Sequence, residues 1–182
     1  MSRKYKFYNP DGLYFISFAT VHWIDVFIRN EYKNIFLDSV QYCQKNKGLI
    51  VHAWVIMTSH VHMIISSRNN KLEEIVRDLK SFTSRKIKNE IIENPQESRK
   101  EWILWMMERA GRKNKNNNKF QFWQQNNQPI ELDNNTIRQQ KLEYIHNNPV
   151  NEGFVSKPEN YIYSSAVDYS GIKGLLGIEL IL

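Results

Sequence analysis

The chain has 182 residues, 41% of them hydrophobic, and 25 Lys and Arg against 19 Asp and Glu give it a formal net charge of +6. That excludes a disordered chain, fits one domain over residues 1–182 with its core at about 10–171, and favours a polyanionic partner, a bias shared with ribosomal and membrane-surface proteins. The lone Cys43 excludes an internal disulfide and a thiolate-cluster metal site. The longest apolar run, Leu49 to Met57, is too short to span a membrane, and no secretion-type apolar core follows Met1 to Lys6, so a cytoplasmic protein without a membrane partner is expected.

In chain order, the turn Asn9 to Gly12 leads into Tyr14 to Trp23, an aromatic and β-branched run that reads as a strand. A helix follows over about 30–47, with an apolar stripe of Ile35, Phe36, Val40 and Cys43 and with Gly48 as its C-cap. Two short strands, Leu49 to Met57 and His60 to Ser66, are split by Thr58-Ser59 and read as a hairpin. A second helix over about 71–91 turns Leu72, Ile75, Val76, Leu79, Phe82 and Ile87 to the core, with Arg77, Lys80, Ser81, Ser84 and Lys88 largely elsewhere.

The order strand, helix, strand, strand, helix needs one more strand for a ferredoxin-like split βαβ unit, and Phe120 to Trp123 is the candidate. The fold class expected is therefore α+β, a ferredoxin-like split βαβ sandwich: an antiparallel sheet with helices on one face, plus a C-terminal helix carrying Tyr144. Before that strand, Glu101 to Met107 forms a helical turn or two carrying Trp102 and Trp105. The Asn/Lys-rich stretch 109–119 has no apolar periodicity and is expected to be a mobile basic insertion. A last helix over about 135–148 uses Ile137, Leu142 and Ile145 as apolar positions and ends at Pro149. The apolar ending Leu180 to Leu182 argues against a free tail.

Three features could carry chemistry. His60 and His62 are two apart in a strand, so both imidazoles project from one face, where a shared divalent metal would keep them neutral; strand-surface hydrogen bonding is the other reading. His22 and His52 read as structural or supporting residues on neighbouring strands. Tyr144 and Asn148 are four apart on the last helix and share a face. A phenol, with a pKa of about 10, needs a metal or a positive field to act as a nucleophile, and Asn148 offers a carboxamide oxygen as a further ligand; a packing tyrosine and a helix-end asparagine fit the same spacing. Arg109, Arg112, Lys113, Lys115 and Lys119 precede Phe120, Phe122 and Trp123. Flexible cations beside exposed rings suit single-stranded nucleic acid, while a soluble linker before a core strand is the competing reading. A zinc hydrolase built on His60, His62 and His146 fits less well, because His146 points away from the face of Tyr144.

Longer strings carry a resemblance. Trp54 to Ile64, WVIMTSHVHMI, resembles the hydrophobic–Met–Pro–Asn–His–Val–His–Leu strand pair of insertion-sequence-200 type transposases. Tyr144 to Val150, YIHNNPV, followed by Glu152 to Val155, is similar to the corresponding segment of their REP-associated tyrosine transposase branch, as is Tyr163 to Tyr169, YSSAVDY. The likeness runs from about Pro10 to Gly171. It implies an HUH-type tyrosine transposase, with a divalent metal (Mg2+ or Mn2+) on His60, His62 and Asn148 and with Tyr144 as the nucleophile. The implied chemistry is transesterification of single-stranded DNA near hairpins through a 5′-phosphotyrosine. The resemblance also implies a homodimer as one mode of assembly, with one subunit's tyrosine completing the other's site, although the REP-associated branch can act as a monomer. The non-catalytic competitor is a DNA-hairpin-binding or regulatory protein derived from such a transposase. Two departures stand out: Thr58-Ser59 replaces Pro-Asn, and Asn151 stands where the branch commonly has Arg.

Overall fold

The computed structural model describes residues 6–69, 71–114, 119–125 and 128–181. Four strands form one sheet: β1 (Tyr14–Ala19), β2 (Leu49–Ile56), β3 (His60–Ser67) and β4 (Ile130–Glu131), in the order β2-β3-β1-β4. Every pairing is antiparallel, and the order is that of a ferredoxin-like fold. The helices are α1 (Asn30–Lys47), α2 (Leu72–Glu93), α3 (Lys100–Arg112), α4 (Asn135–Asn151) and the single turn α5 (Ala166–Tyr169). None is long and apolar enough to cross a membrane.

Strand alternation divides the core in two. Ile16 and Phe18 of β1 and Val61, Met63 and Ile65 of β3 face the larger cluster, built with α1, α2 and α3. Phe15, Ala53, Val55 and Ile64 face the opposite side, where Leu142 and Ile145 of α4 cover them. A register shift between Val51 and Ala53 makes this division possible. His52 is the extra residue; its ring is tied to Ser66 Oγ and to the Glu179 carbonyl, both at 2.8 Å. The bulge changes the parity of β2, so Val51 and Trp54 can both serve the larger cluster.

Several elements follow the local sequence signals. The α1 helix ends at Gly48, whose φ of 74° lies in the left-handed region that glycine adopts at least cost. The α4 helix begins at Asn134, whose side chain accepts the Ile137 N–H at 2.9 Å. Cys43 is buried. The tail is anchored on the outer edge of β2, with bonds from Ile56 N to Tyr163 O, Ser165 N to Trp54 O and Glu179 N to Val51 O, each 2.9 Å. These satisfy backbone groups that an uncovered edge would leave open.

Other expectations are corrected. The strand from Tyr14 stops at Ala19, and Val21–Trp23 forms a 3-10 turn instead. The fourth strand is Ile130–Glu131, not Phe120 to Trp123. The latter segment forms no strand ladder with β1: its backbone meets the end of that strand at a Thr20–Trp123 bridge and the flanking bonds Val21 N to Phe122 O and Gln124 N to Ala19 O, each 2.7 Å. Phe82 is 51% exposed, and Thr83 takes the buried position on α2. The α3 helix continues to Arg112, so the start of the supposed mobile insertion is helical. The α4 helix runs through Pro149 and stops before Gly153, whose φ is 76°. A proline in the last turn forfeits one helical bond, and its buried ring and the Phe154 N to Pro149 O bond of 2.9 Å offset that loss.

Candidate functional site

The site lies where β3 and α4 meet. His60 and His62 project from β3 toward α4 with ring centroids 4.8 Å apart. Ile145, fully buried against the sheet, seats α4 and brings its neighbour Tyr144 over the pair. The phenolic oxygen lies 3.3 Å from Nε2 of His62, and the two ring centroids are 5.1 Å apart. Phe15 of β1 stacks on His62 at 5.4 Å and meets the Tyr144 ring edge-on at 6.0 Å. Lys141, one helical turn before Tyr144, places its ammonium 4.8 Å from the Phe15 ring centre and 5.6 Å from that of Tyr144.

Asn148, one turn after Tyr144, is buried and lies close enough to His60 to favour its charged form. Ser59 Oγ lies 3.3 Å from His60 Nδ1. The Thr58-Ser59 turn is in turn held by the segment after β1: Phe27 N donates to Thr58 O at 2.8 Å and Thr20 N to Ser59 O at 2.9 Å.

Burial sets the protonation of the pair. Desolvation, helped by His60 and Lys141, pushes the His62 pKa down to about 3. Burial also lowers that of His60, while Asn148 and Glu152 pull the other way. Both rings are therefore neutral at physiological pH, the form that ligates metals. His62 Nδ1 is buried with no hydrogen-bond partner. Two neutral imidazoles, an orphaned ring nitrogen and a carboxamide fit a divalent ion. No group of three His, Cys, Asp or Glu suited to a metal occurs among the described residues, and the buried Asn148 amide beside His60 offers a third donor.

The structure thus gathers His60, His62, Tyr144 and Asn148 into one volume, and it scatters the remaining candidates. His146 turns to the other side of α4, 3.0 Å from Ser165 Oγ, where burial lowers its pKa to about 4. His52 is the structural residue of the β2 bulge, and His22 is exposed on the turn after β1. Arg109 and Arg112 are exposed on α3, with the Arg109 guanidinium 5.1 Å from the Trp105 ring centre. Lys113 caps α3, Lys119 is exposed, and Lys115 lies outside the described residues.

Trp123 is corrected: it is 5% exposed, packs on Phe18, Phe27 and Phe36, and donates to Thr83 Oγ1 at 3.2 Å, so it cannot offer a face to a base. Phe15, Ser59 and Lys141 were missed as site residues. The signal for Phe15 was its place in an alternating strand, and for Lys141 its spacing of three from Tyr144.

Fold and site together define a class: a ferredoxin-like α+β protein with a histidine pair on a central strand and a helix-borne tyrosine above it. The family model described as "Transposase IS200 like" matches residues 19–108. Over that stretch the chain is similar to the IS200-like transposase family. Among solved structures it is similar to a REP-associated tyrosine transposase bound to a REP hairpin, at 15% identity and a TM-score of 0.65 over 100% of this chain and 94% of that one. No curated protein matches the sequence.

Proposed function

We propose that the protein is a metal-dependent single-stranded DNA transesterase of the REP-associated branch, cleaving and rejoining DNA near hairpins through a 5′-phosphotyrosine on Tyr144. The observation that carries this reading is the 3.3 Å approach of the Tyr144 hydroxyl to His62, whose ring lies 4.8 Å from that of His60. The tyrosine and the histidines meet within one chain, which supports attack by a tyrosine on its own chain's site.

His60, His62 and the Asn148 amide oxygen would hold the ion, with manganese favoured over magnesium by imidazole donors. When bound, a divalent ion supplies Lewis acidity to a non-bridging phosphate oxygen. Tyr144 Oη attacks phosphorus in line; the Oη–P bond forms as the P–O3′ bond breaks, and the 3′ oxygen leaves as a hydroxyl. With a pKa of about 3, His62 is a poor proton acceptor at neutral pH, so the phenolic proton passes to solvent, to which Tyr144 is 45% exposed. The phosphotyrosine conserves the bond energy, so a second 3′-OH can reverse the step without a nucleotide cofactor.

The test is incubation with single-stranded DNA carrying the hairpins that flank the gene, with manganese or magnesium, followed by a denaturing gel. A metal-dependent protein–DNA adduct is expected, absent in Tyr144→Phe and in His60→Ala. An adduct retained in folded Tyr144→Phe would sink the assignment. Tight hairpin binding with no adduct would favour the binding-protein reading.

A further inference from the structure

The turn after β1 carries an exposed indole beside the histidine pair. Trp23 is 59% exposed, and its ring meets His60 edge-on with centroids 5.6 Å apart. It ends a row of rings, Tyr144, His62, His60 and Trp23, with successive spacings of 5.1, 4.8 and 5.6 Å.

Its backbone is unusual. His22 and Trp23 have φ of 54° and 55°, the only positive values on non-glycine residues among those described. A bulky side chain in the left-handed region is strained, and such strain persists only where its surroundings over-determine it. Here they do. Thr20 Oγ1 donates to Ile24 O at 2.6 Å and Trp23 N to Thr20 O at 3.1 Å. Val21 and Ile24, each 3% exposed, sit in the core on either side. The turn is clamped at its base while its apex stands in water. A packing tryptophan would be buried, and a plain turn would be cheaper with Gly or Asn at these positions.

We infer that Trp23 is a base-stacking residue: a nucleobase flanking the scissile phosphate lies on its indole while the phosphate sits beside Tyr144 and the histidine pair. The inference rests on the transesterase reading for which phosphate is held, and it adds the contact that holds the neighbouring nucleotide. Stacking on an aromatic face tolerates any base, so Trp23 contributes affinity and register, not sequence choice.

The test separates ring from turn. Binding of a fluorescent oligothymidine and of an all-abasic strand of the same length would be measured without metal, on Tyr144→Phe protein so that no chemistry intervenes. Adding Trp23→Ala should weaken oligothymidine binding roughly 5- to 150-fold, leave the abasic strand unchanged, and be largely rescued by Trp23→Phe. Trp23→Gly removes the ring and relieves the left-handed strain, so it should melt at or above the parent's temperature yet bind oligothymidine as weakly as the alanine variant. Equal losses on both strands, no loss on either, or a Trp23→Gly that melts lower and binds no worse than the parent would each overturn the inference. An adduct-forming protein indifferent to Trp23 refutes stacking alone. A Trp23 effect in a protein that never forms an adduct refutes the transesterase reading and leaves stacking intact.

Discussion

The carboxylate of Glu97, between α2 and α3, is fully buried, and Arg29 Nε contacts Oε2 at 2.8 Å. Tyr32 Oη donates to Oε2 at 3.2 Å, while the backbone and side chain of Arg99 reach Oε1 at 3.2 and 3.4 Å. Arg99 also grips Asp25 at 2.6 Å, so the cluster anchors the segment that follows Trp23. Glu97→Gln keeps the shape and removes the charge. Each charge-assisted bond that becomes neutral loses about 1 kcal/mol, and the amide NH2 turned toward donors leaves one polar group unpaired at about 1–3 kcal/mol. With two bonds to the retained oxygen weakened and one polar group unpaired, the expected cost at pH 7 is about 3–5 kcal/mol, the range for breaking a buried pair. Burial alone would raise the Glu97 pKa, but the Arg99 N–H and the Arg29 and Arg99 charges outweigh it and hold the pKa below its ordinary 4.5. A depressed carboxylate contributes stability that is complete above the unfolded pKa and is lost as pH falls through the folded one. Urea unfolding of wild type and Glu97→Gln at pH 7 and near pH 3 measures this, and the gap between them should narrow at the lower pH. A gap equal at both pH values, or below about 1 kcal/mol at pH 7, would refute the reasoning.

Two further outcomes are expected. A Cβ added at Gly111 would lie 2.5 Å from the Phe120 Cα and 2.7 Å from its backbone carbon and nitrogen. Gly111→Ala should therefore cost about 1–3 kcal/mol despite its better helix propensity, and a thermal melt at or above the wild-type temperature would count against the close packing of α3 on that segment. If Arg109 and Arg112 contact phosphates, replacing both with Ala should reduce the slope of log affinity against log salt by roughly 1.4 for single-stranded DNA; an unchanged slope in fluorescence anisotropy removes α3 from the interface.

Much of the fold and the candidate site was legible because it is written in neighbouring residues. The two-residue period of a strand places His60 and His62 on one face whatever surrounds them, and the helical period puts Tyr144 and Asn148 on one side of α4. The left-handed C-cap at Gly48 and the cap at Asn134 likewise depend on a few adjacent atoms. A two-residue strand such as Ile130–Glu131 has no period to read, so its pairing with Tyr14 and Phe15 is set only by the edge of β1. Whether Trp123 is wet or dry depends on Phe18, Phe27 and Phe36, about a hundred positions away, and the same aromatic composition fits either state. Phe82 is exposed while its neighbour Thr83 is buried, its hydroxyl accepting from the indole of Trp123, a residue brought in from far along the chain. Local periodicity thus determined which side chains share a face. Only tertiary packing decided which faces meet, because burial depends on surfaces brought together from distant parts of the chain.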